Sequence, residues 1–172
     1  MKGQRKYLFI LIGFLLALGL IYLSLTLPVE ESKVAEETKV VKLYFSYDQA
    51  QSLKVEEREI GTKDLYQNII EELSKGPTQE ELGATIPAET ELLAWDLNGG
   101  ELSLDFNAKF QTDHPGGSAG EIMTIYSIVN TMAQFEEVER VFFLVEGEKV
   151  ETLVGHITLE EAVLPNYDLV VE

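Results

Sequence analysis

The chain has 172 residues, 13 basic and 30 acidic side chains, a formal net charge of −17 and no cysteine. Disulfides, thiolate nucleophiles, cysteine metal sites and lipidation at a lipobox cysteine are therefore excluded. So is nucleic acid as a partner, because binding to phosphates depends on Lys and Arg displacing counterions.

The first element in chain order is the uncharged run YLFILIGFLLALGLIYLSLTL, residues 7 to 27. As a helix it would span roughly 30 Å, the thickness of a bilayer core. Lys2, Arg5 and Lys6 precede it, while Glu30 and Glu31 follow. The positive-inside rule then predicts a cytoplasmic N-terminus, residues 1–6, and an extracytoplasmic remainder. A cleaved signal peptide has a shorter apolar region and ends in a small-x-small site, for which Ser24 and Thr26 are poor substitutes. The expectation is a retained, single-pass anchor in the cytoplasmic membrane. Beyond it stand ten basic residues against 30 acidic ones, a balance that suits a basic partner or simple solubility.

Residues 28–38, PVEESKVAEET, have the polar, acidic composition of a solvated tether. The folded domain is expected over 39–172. Val41, Leu43 and Phe45 alternate with Lys42, Tyr44 and Ser46, which predicts a strand with one buried face. Leu53 to Ile60 reads as a second strand, and Glu56, Glu57, Arg58 and Glu59 mark it as an exposed edge. Thr62 is a candidate N-cap for a helix reaching Lys75, with Leu65, Tyr66, Ile69, Ile70 and Leu73 on one face and Gly76-Pro77 as the stop.

Leu93, Trp95 and Leu97 alternate, as do Leu102, Leu104 and Phe106, and Asn98-Gly99-Gly100 between them predicts a hairpin. A second helix is predicted over Ala119 to Phe135, with Ile122, Ile125, Tyr126, Val129, Met132 and Ala133 as its buried stripe. Val141 to Val145 reads as a buried central strand, and Val150 to Val154 as its return after a turn at Gly147-Glu148. The tail from Pro165 to Glu172 fits either a last short strand or a loose end. This order predicts an α+β fold: a single mixed or antiparallel sheet with two helices packed on one face.

The stretch HPGGSAGE, residues 114 to 121, has the look of a phosphate loop opening a helix. It lacks the lysine of a P-loop and the spacing of a dinucleotide fingerprint, and Asp113 and Glu121 would oppose an anion. Ser118 and Glu121 instead have the S-x-x-E spacing of a capping box. His114 and His156 are the only histidines; neither has a metal-binding spacing, and no G-x-S-x-G elbow supports a triad of Ser118, His114 and Asp105. A histidine beside proline in a loop is expected to be solvated. Asp105 is the best single candidate for a glycosidase-like acid, yet alternation turns it to a solvated sheet face. No catalytic, cofactor-binding or metal residue is assigned.

Taken in order, LSKGP at 73–77, ATIPAETELLAWDLNGGELSLDFNAKF at 84–110, GGSAGE at 116–121, IYSIVNTMAQFEEVERVFFLVEGE at 125–148 and VETLVGHIT at 150–158 resemble the GerMN domain of sporulation and spore germination proteins. The resemblance covers about Lys39 to Thr158. It implies an extracytoplasmic, membrane-tethered and non-enzymatic domain, similar in fold to ring-building modules. It further implies a role in envelope assembly during sporulation or germination, through an envelope or sporulation-complex protein or a further copy of the chain. GerM itself resembles a lipoprotein with two such domains, whereas one copy and no lipobox cysteine are present here. The rival expectation is a peptidoglycan-binding module or cell-wall hydrolase using an acidic cleft.

Overall fold

The computed structural model describes residues 18, 19, 22 and 37–172. The predicted anchor over 7–27 and the tether over 28–38 lie almost wholly outside the described residues, among which no helix is long and apolar enough to cross a membrane. The chain divides into two units, 1–35 and 36–172. The second unit is the α+β domain.

Strands β1 (Thr38–Tyr47) and β2 (Ser52–Gly61) form a long antiparallel hairpin, Tyr47 opposite Ser52 and Thr38 opposite Gly61. Its turn places Asp48, Gln49 and Ala50 at positive φ. Helix α1 (Leu65–Lys75) buries Tyr66, Ile69, Ile70 and Leu73, as its periodicity predicts. Its start differs from expectation. Asp64 occupies the N-cap in a left-handed conformation with no side-chain cap, while the N–H and hydroxyl of Thr62 both donate to the Glu37 carbonyl. Thr62 is thus a stitch to the beginning of β1, and not a helix cap.

Strands β3 (Leu92–Asn98) and β4 (Glu101–Phe106) meet at the predicted turn, with Gly99 and Gly100 at φ 56° and 81°. Positive φ at both central residues is the geometry that matches the twist of the flanking strands. A short helix α2 (Lys109–Thr112) carries Phe110 onto Phe106, ring centroids 4.2 Å apart. Helix α3 (Ser118–Met132) then crosses to β5 (Arg140–Val145), which lies parallel to β4. Strand β5 alternates buried Val141, Phe143 and Val145 with half-buried Phe142 and Leu144, so only one of its faces is buried.

The expectation of one sheet is corrected. There are two, ordered β1-β2-β7 and β3-β4-β5-β6, where β6 is Glu148–Lys149 and β7 is Val170–Val171. Each long helix touches strands of both sheets, so the helices do not lie on one face of a single layer. One core joins Val41, Leu43 and Phe45 of β1 to Ile69 and Leu73 of α1, Leu104 of β4, Ile128 of α3 and Phe143 of β5. A smaller cluster of Tyr44, Leu53 and Met123 forms on the other face of the β1–β2 hairpin.

The predicted strand over Val150 to Val154 is corrected as well. Only Glu148 and Lys149 pair with β5; the following segment is irregular, although Leu153 and Leu159 are buried. Its backbone is held by side chains, as described below, and needs no ladder. The tail resolves as a short 3-10 turn, Tyr167–Leu169, leading into β7, which pairs in parallel with Leu53 and Lys54 of β2.

Candidate functional site

The loop 114–121 is built from inside. Glu121 is completely buried, and its carboxylate accepts the N–H groups of Leu153 and Val154 on Oε1 at 2.9 and 3.0 Å and of His156 on Oε2 at 2.8 Å. The capping box is therefore corrected. Gly117 is the N-cap, no side-chain cap bond forms, and Ser118 is exposed. Glu121 turns inward because the irregular segment after β6 presents three otherwise unpaired donors, and burying them unsatisfied would cost more than leaving the helix end uncapped.

His114 is not solvated either. Its Nδ1 accepts the Gly116 N–H at 3.0 Å, and its Nε2 lies 2.9 Å from the Thr124 hydroxyl. Thr124 donates its own hydrogen to the Thr85 carbonyl, so it accepts from His114 and the ring is the neutral Nε2–H tautomer. Desolvation by burial lowers the His114 pKa from 6.5, against the opposing charge of Glu121. A second thread leaves Thr85: its hydroxyl is 2.8 Å from Ser127 Oγ, which donates to the Tyr44 carbonyl at 2.5 Å. Loop, helix α3, residue 85 and β1 are knitted by one polar network.

Asp105, the candidate acid, points away from the core as alternation requires. Its Oδ1 accepts the Gly147 N–H at 2.8 Å and so closes the turn after β5. His156 is exposed and enters this region only through its backbone. His114 and Asp105 are thus bonded to different partners, Thr124 and Gly116 in one case and Gly147 in the other, and no bond joins either to the exposed Ser118. Among the described residues no three His, Asp or Glu side chains group to hold a metal ion.

The exposed-edge reading of β2 is corrected at Glu56 and Arg58. Glu56 is buried and accepts from Arg58 Nε and Nη2 at 2.8 and 2.5 Å and from the N–H of Thr78 and Gln79 at 2.9 and 3.1 Å. Arg58 also donates to Glu72 and to the carbonyls of Glu72 and Gly76, which closes the end of α1. Desolvation works to raise the Glu56 pKa, yet the Arg58 guanidinium and the two backbone donors outweigh it and hold the carboxyl below 4.5.

A polar stripe on α3 went unread beside its apolar one. Gln134 just beyond the helix pairs both the N–H and C=O of Lys42, Thr131 accepts the Tyr44 N–H, and Ser127 donates to the Tyr44 carbonyl. Gly83 exchanges two bonds with Ser46. The outward groups of β1 at 42, 44 and 46 are all taken. The sequence signal was the spacing of Ser127, Thr131 and Gln134, three and four residues apart on one helix face.

The other terminal strand is treated differently. β3 is exposed along Leu93 to Asp96, with Leu93 49% and Trp95 46% accessible. The Trp95 ring packs edge-on against Tyr66, centroids 5.0 Å apart. At the start of β3 a groove of about 350 Å³ opens toward α1, lined among others by Glu71, Glu89, Thr90 and Glu91. Thr90 is 3% exposed, and its hydroxyl has no hydrogen-bond partner.

An α+β module whose buried carboxylates and loop histidine are committed to its own architecture, with the β1 edge bonded along 42–46 and the β3 edge open, is the class defined by this geometry. The chain belongs to the Germane family, described as sporulation and spore germination, which it matches over residues 42–151, more than half its length. It is similar in fold to the tandem GerMN domains of the sporulation protein GerM from Bacillus subtilis, at TM-score 0.64 and 18% identity over 77% of this chain and 48% of that one. The chain thus spans about half the length of the tandem structure. The first GerMN domain of that protein alone aligns at TM-score 0.63 and 19% identity, over 76% of this chain and all of that one. A putative lipoprotein from Clostridium perfringens aligns at TM-score 0.55 and 24% identity, over 74% and 87% of the two chains. No curated protein matches.

Proposed function

We propose that the chain is a membrane-anchored, extracytoplasmic interaction module of the bacterial envelope, acting in sporulation or germination by holding a protein partner without covalent chemistry. The observation that carries this reading is the internal commitment of the buried carboxylates and the loop histidine. Glu121, Glu56 and His114 each spend both polar side-chain atoms on internal backbone or side-chain partners, and Asp105 gives Oδ1 to the Gly147 N–H, which supports a structural use of these groups over a catalytic one. Membership of a sporulation and germination family supports the setting, and the charge-free run over 7–27 supports the anchor.

Two measurements on the full chain test it. Cross-linked pull-down from sporulating and vegetative membranes is expected to recover a specific envelope protein; recovery of none in either state would count against the module. Incubation with purified peptidoglycan is expected to release no fragments and retain no protein. Fragment release would make the chain a hydrolase, and retention a glycan binder.

A further inference from the structure

We infer that the outer edge of β3 is the docking site of this module, and that its occupant is an extended, basic segment of a partner protein. The segment adds as a strand beside residues 94–97 and lays a Lys or Arg side chain into the groove lined by Glu71, Glu89 and Glu91. This rests on the interaction-module reading and names its face and the chemistry of its partner.

The first argument is the contrast between edges. The outward groups of β1 at residues 42, 44 and 46 are bonded to side chains of the α3 region or to Gly83, β2 is met by β7 at Leu53 and Lys54, and Val163 exchanges two bonds with Val141 on the outer side of β5. In a two-residue hairpin the flanking pair, here Asn98 and Glu101, exchanges the ladder bonds, so by alternation the N–H and C=O of Leu97 and Trp95 point outward. No partner for these groups exists among the described residues. Exposed edges are ordinarily defended by lysine, proline or brevity. β3 reads LLAWDLN, contains neither lysine nor proline, and presents Leu93 and Trp95; a register shift between Leu92 and Ala94 breaks the ladder at its start, and the regular open stretch, with Asp96 as its one charge, runs over 94–97.

The second argument is the groove that continues this edge. Its basic residue Lys75 is already paired with Glu72 at 2.6 Å, Glu89 reaches Lys109 only at 3.6 Å, and Glu71 and Glu91 have no basic partner among the described residues. The buried hydroxyl of Thr90, unsatisfied within the protein, lies in the same lining. A cationic side chain supplies both the missing charge and a donor. A second copy of this chain does not fit, since the β3 segment carries no basic residue and the chain as a whole stands at −17.

Trp95 is the only tryptophan, so its emission reports on this edge alone. The test titrates the full chain in detergent micelles with a synthetic strand-forming peptide of alternating Val and Thr flanked by lysines, and with the same peptide flanked by glutamates. The lysine peptide is expected to give a saturable blue shift that weakens with added salt, with amide exchange slowed at Trp95 and Leu97. The Glu71→Lys/Glu91→Lys double variant, altering two exposed positions, is expected to bind it at least about tenfold more weakly. Leu97→Pro, which removes one outward donor on an edge strand, is expected to do the same. Equal binding of the two peptides, no saturable change, or an emission shift with protein concentration alone would overturn the inference. If the double variant still recovers the wild-type partner in the membrane pull-down, the module reading stands and the β3 edge falls.

Discussion

Asn130 and Asn166, 36 residues apart in sequence, are joined by two hydrogen bonds of 2.9 Å: Asn130 Nδ2 donates to the Asn166 carbonyl, and the Asn166 N–H donates to Asn130 Oδ1. The amide acts as a one-residue strand and holds the tail where Leu169 and Val170 cover Tyr44, Leu53 and Met123. Asn130→Ala removes both bonds and leaves the Asn166 backbone to find water. The expected cost is about 1–3 kcal/mol. Hydrogen exchange should show faster amides across 166–171 and unchanged rates in β4 and β5. Slowed or unaltered exchange in the tail would contradict the clamp.

Glu121 and Ser118 make opposite predictions from the one expected capping motif. Glu121→Ala leaves three N–H groups of the 153–156 segment without their acceptor and should lower stability by about 3 kcal/mol or more. Ser118→Ala, at an exposed position with no cap bond, should fall within about 0.5 kcal/mol of wild type. Denaturant midpoints of the two variants separate the alternatives; a costly Ser118→Ala would restore the capping box.

Arg58→Met tests the ion pair under α1. It keeps the aliphatic stem over Phe45, whose ring the guanidinium carbon faces at 5.3 Å, but strands the Glu56 carboxylate with backbone donors only. Loss of one partner of a buried pair is expected to cost about 3–5 kcal/mol. The folded pKa of Glu56 lies below 4.5, so the wild-type pair stabilises above that pH and loses its contribution as pH falls through the folded value. The gap between wild type and variant should therefore narrow in acid. Urea unfolding at neutral and acidic pH checks the trend.

His114 gives a second window at higher pH. Its folded pKa lies below 6.5, so the unfolded chain takes up a proton first as pH drops. The stability associated with the neutral ring is fully present above about pH 6.5 and is lost as pH falls toward the folded value. His114→Gln should be less stable at neutral pH and should flatten the slope of stability as pH falls below about 6.5. An undiminished slope would place the titration elsewhere.

What the sequence by itself determined is local: the two long helices, the β1–β2 and β3–β4 hairpins with the Gly99-Gly100 turn, and the existence of β5, because period and turn chemistry are written within a few neighbouring residues; that β5 buries only one face, and not the two that its continuous apolar run predicts, is a tertiary outcome. The ordered GerMN motifs led to the family for the same reason, since each is a short string. Long-range choices lay beyond it. Glu121 served the 153–156 segment and not its own helix end because that segment's donors had no other acceptor. Glu56 and Arg58 turned from a charged edge into a buried brace because α1 ended against them. The β1 edge at 42 and 44 is closed to another strand because Ser127, Thr131 and Gln134, in and just beyond a helix more than eighty residues away in the chain, occupy its backbone groups. Only the tertiary structure decides which unpaired backbone group meets which polar side chain, and here that decision closed one edge and left β3 open.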